Sequence, residues 1–221
     1  MLIEIMTKLS SLVIDYLSDS EWQTAPMPKG VPDERNIIIG YIYCDYRDQK
    51  DQTETNLLGS LLAQFLACQP LPKPTLEKVL ETCETRQKEC KPLNLEKALE
   101  MISLVVQSSW AFICIDAVDE LKQAEQLSFL KSLDKVVRGA YCPCGHQAPR
   151  LFLTGRLHVQ DSVRKSLGIG EESSITVTAN EADIRNFVET QIRESDSEAM
   201  GDKLKGEIIE TIVAKSGGMY V

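Results

Sequence analysis

Histidine is nearly absent from this sequence: two occur in 221 residues, His146 and His158. Neither stands in a catalytic-triad context, and Ser10 and Ser11 have no histidine-and-acid partners, so a serine-hydrolase reading finds no support. A basic patch is missing too. Lys and Arg total 24 against 33 Asp and Glu, a net charge of −9, which argues against nucleic acid and against an anionic membrane surface as partners. No apolar run approaches the roughly 18 residues of a membrane span. Glu4 and Lys8 interrupt the apolar start of the chain, and no small-residue cleavage site follows, which excludes a signal peptide. There is no internal repeat and no low-complexity tract. The seven cysteines are odd in number and scattered; Cys44, Cys68 and Cys114 lie in apolar contexts that suit buried free thiols. These features predict a soluble, intracellular protein with reduced cysteines.

What is present is an ordinary globular balance, 43% hydrophobic and 26% charged, enough for a core in one domain with a small appendage. Leu2, Ile5, Met6, Leu9, Leu12, Val13, Tyr16 and Leu17 recur at three- and four-residue spacing and predict an amphipathic helix over 2–17. IIIGYIY (37–43) predicts a strand, and NLLGSLLAQFLA (56–67) a helix. Further helices are predicted near 75–89 and at 95–107, the latter capped by Asn94. WAFICI predicts a strand before a helix near 123–138, and RLFLT (150–154) another strand before a short helix near 159–167. SITVT (174–178) predicts a fourth strand. Asn180 then caps a helix to about Arg193, and a last helix over 202–215 ends at Ser-Gly-Gly. Strands alternating with helices, three of them apolar over several consecutive residues, predict an α/β fold with a parallel sheet flanked by helices. The core is expected over about 1–178, with a following helical region over about 180–221.

In such sheets ligands bind beyond the carboxyl ends of the strands. WAFICIDAVDEL (110–121) puts Asp116 at one such end, with Asp119 and Glu120 close behind, and RLFLTGR puts Arg156 just past another. An acid at a buried strand tip can hold Mg²⁺, a second acid can position the attacking water, and an arginine can meet a γ-phosphate. The alternative is that Asp119 and Glu120 simply cap the following helix.

LSSLVIDYL (9–17), YIYCDYRDQKDQTETNLLGSLLAQFL (41–66), WAFICIDAVDEL, RLFLTGR, ITVTANEADIRNFVETQI and IVAKSGGMYV occur in this order along nearly the whole chain. Together they resemble the NACHT-type P-loop NTPase domain of STAND proteins, in the nephrocystin-like branch abundant in filamentous fungi. The resemblance implies a P-loop NTPase-like sheet, ATP or GTP bound with Mg²⁺, a role as a nucleotide-dependent signalling switch that oligomerises, and ankyrin or other repeats downstream. It implies Asp119 and Glu120 as catalytic acids, Thr7, Asp116 and Arg156 as nucleotide-binding residues, and Asp116 with Thr7 on the metal.

The family carries a G-x-x-x-x-G-K-[ST] loop before its first long helix. Here Thr7 falls at the last position of that loop, Met6 at the lysine and Ile5 at the glycine, and no other stretch reads G-x-x-x-x-G-K. Backbone N–H groups and the lysine of that loop supply most phosphate contacts. The expectation is therefore a single domain over 1–221, N-terminally truncated, lacking the first strand and the phosphate loop. It keeps the fold but not stable nucleotide binding or turnover, so Asp116→Ala is expected to be silent or mildly stabilising. The alternative is a non-catalytic interaction module that self-associates or pairs with intact NACHT relatives.

Two further stretches carry chemistry. CPCGH (142–146) offers two thiols and an imidazole, and Cys83 and Cys90 are spaced to share a helix face; the spacing is unusual for zinc, and a solvent loop with incidental thiols is the simpler reading. DYRDQKDQ (45–52) is a charged run that reads as a solvated loop or as a contact for a partner.

Overall fold

The structure is a computed structural model that describes residues 2–19, 37–68, 71–88, 94–139, 148–176, 181–194 and 201–216. It divides into two compact units, Met1–Gly170 and Glu171–Val221. The first contains α1 (Leu2–Ser18), β1 (Ile37–Tyr43), α2 (Glu54–Ala67), α3 (Lys73–Lys88) and α4 (Leu95–Gln107). It continues through β2 (Trp110–Asp116), α5 (Gln123–Gly139), β3 (Arg150–Leu153) and α6 (Gln160–Leu167). The three strands are parallel in the order β1-β2-β3, so the predicted α/β fold is what the chain adopts.

Alternation along the strands sorts their side chains onto two covered faces. Ala111, Ile113 and Ile115 of β2 join Ile38 and Ile42 of β1 in the main core, against Leu58, Leu61 and Phe65 of α2 and the buried faces of α4 and α5. Phe112 and Cys114 point the other way and pack with Ile37 and with Leu17 of α1. A strand covered on both faces has no polar side, which is why β2 is a continuous apolar run up to its final aspartate.

Helix starts follow local chemistry. The Asn94 side chain accepts from Lys97 N at 3.0 Å, as its cap position predicts. Helix α2 begins two residues earlier than its leucine pattern indicates, because Thr53 caps it and Glu125 of α5 accepts from Glu54 N at 2.7 Å. A carboxylate at that end also meets the positive pole of the helix. In α1 the buried face differs from the predicted stripe. Ser10 and Leu17 are buried, while Leu12 and Tyr16 are 66% and 61% exposed.

The outer edge of β1 is closed by side chains. Gln64 of α2 accepts from Tyr41 N at 2.9 Å and donates to Tyr41 O at 2.8 Å. Gln52 donates to Tyr43 O and accepts from Asp45 N, and the Cys68 thiol reaches Ile39 O at 3.6 Å. An amide side chain that completes an edge strand's hydrogen bonds denies them to a neighbouring molecule. Gln64→Ala is expected to cost about 1 kcal/mol, since water replaces part of the loss, and to make association concentration-dependent. Sedimentation velocity across a dilution series measures this; an unchanged coefficient would show that the amide does not guard the edge.

The second unit has a single 3₁₀ turn at Glu171–Ser173, then α7 (Glu181–Glu194) and α8 (Asp202–Ser216). Arg185 Nη1 donates to Glu210 Oε1 at 2.8 Å between the two helices. The fourth predicted strand is not realised where it is described: residues 174–176 are in no strand and Ile175 is 90% exposed, while 177 and 178 lie outside the described residues. The β-propensity of alternating Ile and Thr expresses itself only against a packed sheet neighbour. Asn180, Cys90, the 142–146 cluster and the final Gly-Gly also lie outside the described residues. Among the described residues no helix is long and apolar enough to cross a membrane.

Candidate functional site

The carboxyl end of β2 is where charge gathers. Asp116 is 3% exposed, and its Oδ1 accepts from Ser10 Oγ at 2.7 Å and from Thr154 Oγ1 at 2.6 Å. Two hydroxyls therefore solvate a buried carboxylate in place of water. Thr154, directly after β3, holds the strand ends together through every polar group it has. Its N–H donates to Ile115 O at 2.9 Å, and its carbonyl accepts from Val118 N at 2.9 Å. Its Oγ1 also accepts from Ala117 N at 2.9 Å.

Ala117 makes the turn possible and is strained by it. Its φ of 53° and ψ of 49° are left-handed, the one positive φ among described non-glycine residues. That conformation costs an alanine about 1–2 kcal/mol. It throws the next residues into a single 3₁₀ turn, Val118–Glu120, that splays the two remaining acids apart. Asp119 turns toward β3, where its Oδ1 accepts from Arg156 N at 3.1 Å and its Oδ2 lies 3.4 Å from Arg156 Nε. Glu120 turns toward β1, where its Oε2 accepts from Tyr46 N at 3.0 Å and its carbonyl accepts from Gln49 Nε2 at 2.8 Å. Its Oε1 lies 3.8 Å from Arg156 Nη2. Gly155 allows the close approach, because a Cβ there would meet Val118 Cγ1 at 3.1 Å and Val159 Cγ2 at 3.2 Å.

Arg156 pairs with two of the three carboxylates, Asp119 and Glu120, and the Cys44 thiol registers all three. Cys44, whose N–H donates to the Asp116 carbonyl at 3.0 Å, has its pKa pushed up to about 12, first by burial and then by Asp116, Asp119 and Glu120. Burial alone pushes the Cys114 thiol up to about 11. Both stay protonated at neutral pH and are inert as nucleophiles.

The structure thus brings together Asp116, Asp119, Glu120 and Arg156. Thr7 lies on α1 one turn ahead of Ser10, with its side chain outside the described residues. Sequence reasoning missed Ser10 and Thr154, the two hydroxyls on Asp116. Ser10 sits one helical turn past Thr7, and Thr154 ends the predicted strand RLFLT as Asp116 ends β2; those placements were the only signals. The acids do not surround a common point. Asp119 is turned onto Arg156 and Glu120 onto Tyr46, and among the described residues no group of three or more His, Cys, Asp or Glu side chains is arranged to hold a metal ion. As arranged, Asp119 and Glu120 are engaged with Arg156 and Tyr46 rather than with each other. Asp116 is not idle either, so the expected silence of Asp116→Ala does not follow: its removal takes away the shared acceptor of two buried hydroxyls.

No curated protein and no solved structure matches the chain. The family model described as nephrocystin 3, N-terminal, matches residues 6–156. The match covers more than half of the sequence and runs from the turn before Ser10 through Arg156, taking in every residue of the strand-end cluster. The chain belongs to the nephrocystin-3 N-terminal family.

Proposed function

We propose that these 221 residues are the acid-bearing part of a NACHT-like signalling-switch domain, and that by themselves they neither bind nor hydrolyse Mg-ATP or Mg-GTP. The observation that carries this reading is the double hydroxyl clamp on Asp116. The acid that would face the metal in a P-loop NTPase is spent on joining α1, β2 and β3. The sequence supports it further, with no G-x-x-x-x-G-K loop to cradle phosphates. The domain then acts as a scaffold whose strand-end acids tie loops to the sheet.

Thermal melting with millimolar Mg-ATP or Mg-GTP tests this. A ligand at 100 times its Kd stabilises by about 2.7 kcal/mol, which in a chain of this size is a shift of about 5–10 °C. The expected shift is nil for the chain as it stands. It should appear when a strand and a glycine-rich loop ending in Gly-Lys are joined ahead of Thr7. A clear shift in the unextended chain, abolished by Arg156→Ala, would overturn the proposal.

A further inference from the structure

We propose that Glu120 is a latch through which Arg156 controls the exposed loop over 45–52, so that the strand-end site is read out at that loop. This rests on the reading of the strand-end acids as ties between loops and sheet, and it adds the residue that governs one of those ties.

The two oxygens of Glu120 do different work. Oε2 holds the backbone of the loop at Tyr46 N, and Oε1 faces the Arg156 guanidinium. The Glu120 carbonyl holds the same loop a second time, through Gln49. The loop is well organised internally. Asp45 caps its 3₁₀ turn by accepting from Arg47 N at 2.8 Å and pairs with the Arg47 side chain, which holds the Asp45 carboxyl below the usual carboxylate range. Gln52 ties its start to the end of β1. The loop shows Tyr46, 62% exposed, and the Arg47 side chain, 72% exposed, to solvent, together with Asp48, Lys50 and Asp51.

Arg156 is in turn the accessible end of this chain of contacts. Its side chain is 59% exposed, while those of Asp119 and Glu120 are 4% and 7% exposed. An anionic group arriving at the sheet end meets the guanidinium first. If Arg156 is drawn away, Glu120 becomes a buried carboxylate without its cation, and that state is costly. The carboxylate relieves the cost by turning to water, and the turn releases Tyr46 N. The strained left-handed Ala117 holds Glu120 poised between the two partners. The side-chain grip on the loop therefore depends on the charge at Arg156, whereas the grip through Gln49 does not.

Amide hydrogen exchange at Tyr46, followed by NMR with no nucleotide present, tests the latch independently of nucleotide binding. Four full-length proteins are compared: the native chain, Arg156→Gln, Glu120→Gln and the double variant. Arg156→Gln should speed Tyr46 exchange about tenfold and leave amides in β2 unchanged, which shows that the sheet is intact. Glu120→Gln keeps a carbonyl acceptor for Tyr46 N but no charge for Arg156 to balance. Tyr46 should stay protected, and adding Arg156→Gln should then change nothing. Equal exchange in native and Arg156→Gln proteins would overturn the latch. So would an Arg156→Gln effect that persists in the Glu120→Gln background, since the coupling would then bypass Glu120. A nucleotide-induced melting shift would sink the scaffold reading and leave these four rates as they are.

Discussion

Gly40→Ala should lower the melting temperature of the sheet-bearing unit by about 2–12 °C, whereas the same substitution at Gly59 should raise it slightly. Gly40 is the middle residue of β1, and a Cβ there would stand 2.7 Å from Phe65 Cε1, 3.0 Å from Leu61 Cδ2 and 3.1 Å from Phe65 Cζ. Both neighbours are wholly buried in the core between β1 and α2. The ring cannot swing into solvent, so α2 must lift from the sheet or Phe65 must leave its rotamer. Overpacking of this kind costs about 1–3 kcal/mol, and each kcal/mol is worth about 2–4 °C in a domain of this size. Gly59 has nothing within 4 Å of the equivalent position and lies inside α2, where alanine is favoured over glycine by about 1 kcal/mol. Phe65→Leu combined with Gly40→Ala should recover part of the loss, because a smaller side chain vacates the volume the new methyl needs. Melting curves of the four proteins decide the matter. A Gly40→Ala chain as stable as the native one would mean that α2 does not seat on β1 as described.

Gly40 also shows where sequence reading works and where it stops. IIIGYIY is legible as a strand because β-branched and aromatic residues cluster between polar turns. Nothing in it says that the glycine is the contact point for a phenylalanine 25 residues further on. The parallel sheet was legible for the same reason as β2, since only a strand covered on both faces is apolar at six consecutive positions. Asp116 was legible as special because it ends that run. Its partners were not: a hydroxyl 106 residues earlier and another 38 residues later meet it only once α1 and β3 have docked. The three acids are neighbours in sequence, but the left-handed residue between them sends their side chains in three directions. An alanine carries no local signal for that conformation. The charged run over 45–52 read first as a solvated loop, with a partner contact only as the alternative, because its tie to Glu120 runs through a backbone N–H that any residue could supply.

Thr154→Val should be the most damaging conservative change at the strand ends, costing about 3 kcal/mol and about 6–12 °C in melting temperature. Valine matches threonine in shape and keeps both backbone bonds of the residue, so the loss is confined to Oγ1. That oxygen does two jobs: it donates to Asp116 Oδ1 and accepts from Ala117 N. Removing it strips a buried carboxylate of a hydroxyl donor. It also orphans a buried N–H at a residue already held in a strained conformation. Either loss alone is worth about 1–3 kcal/mol when the group stays buried. Asp116→Asn should cost under about 1 kcal/mol, because the amide oxygen can still accept from Ser10 and Thr154, and the change removes the expense of a buried charge. The ordering tells a structural clamp from a metal site. For a clamp, the hydroxyl matters more than the charge. For an acid retained to hold a cation, the charge matters to ligand-dependent stability, and Thr154 is only a neighbour. Thermal melts of Thr154→Val and Asp116→Asn, with and without millimolar Mg²⁺, separate the two. The clamp predicts a large loss for Thr154→Val, a small one for Asp116→Asn, and no response to Mg²⁺ in either. A Thr154→Val protein that melts within about 2 °C of the native chain, less than 1 kcal/mol at this size, would show that Asp116 does not depend on its hydroxyls.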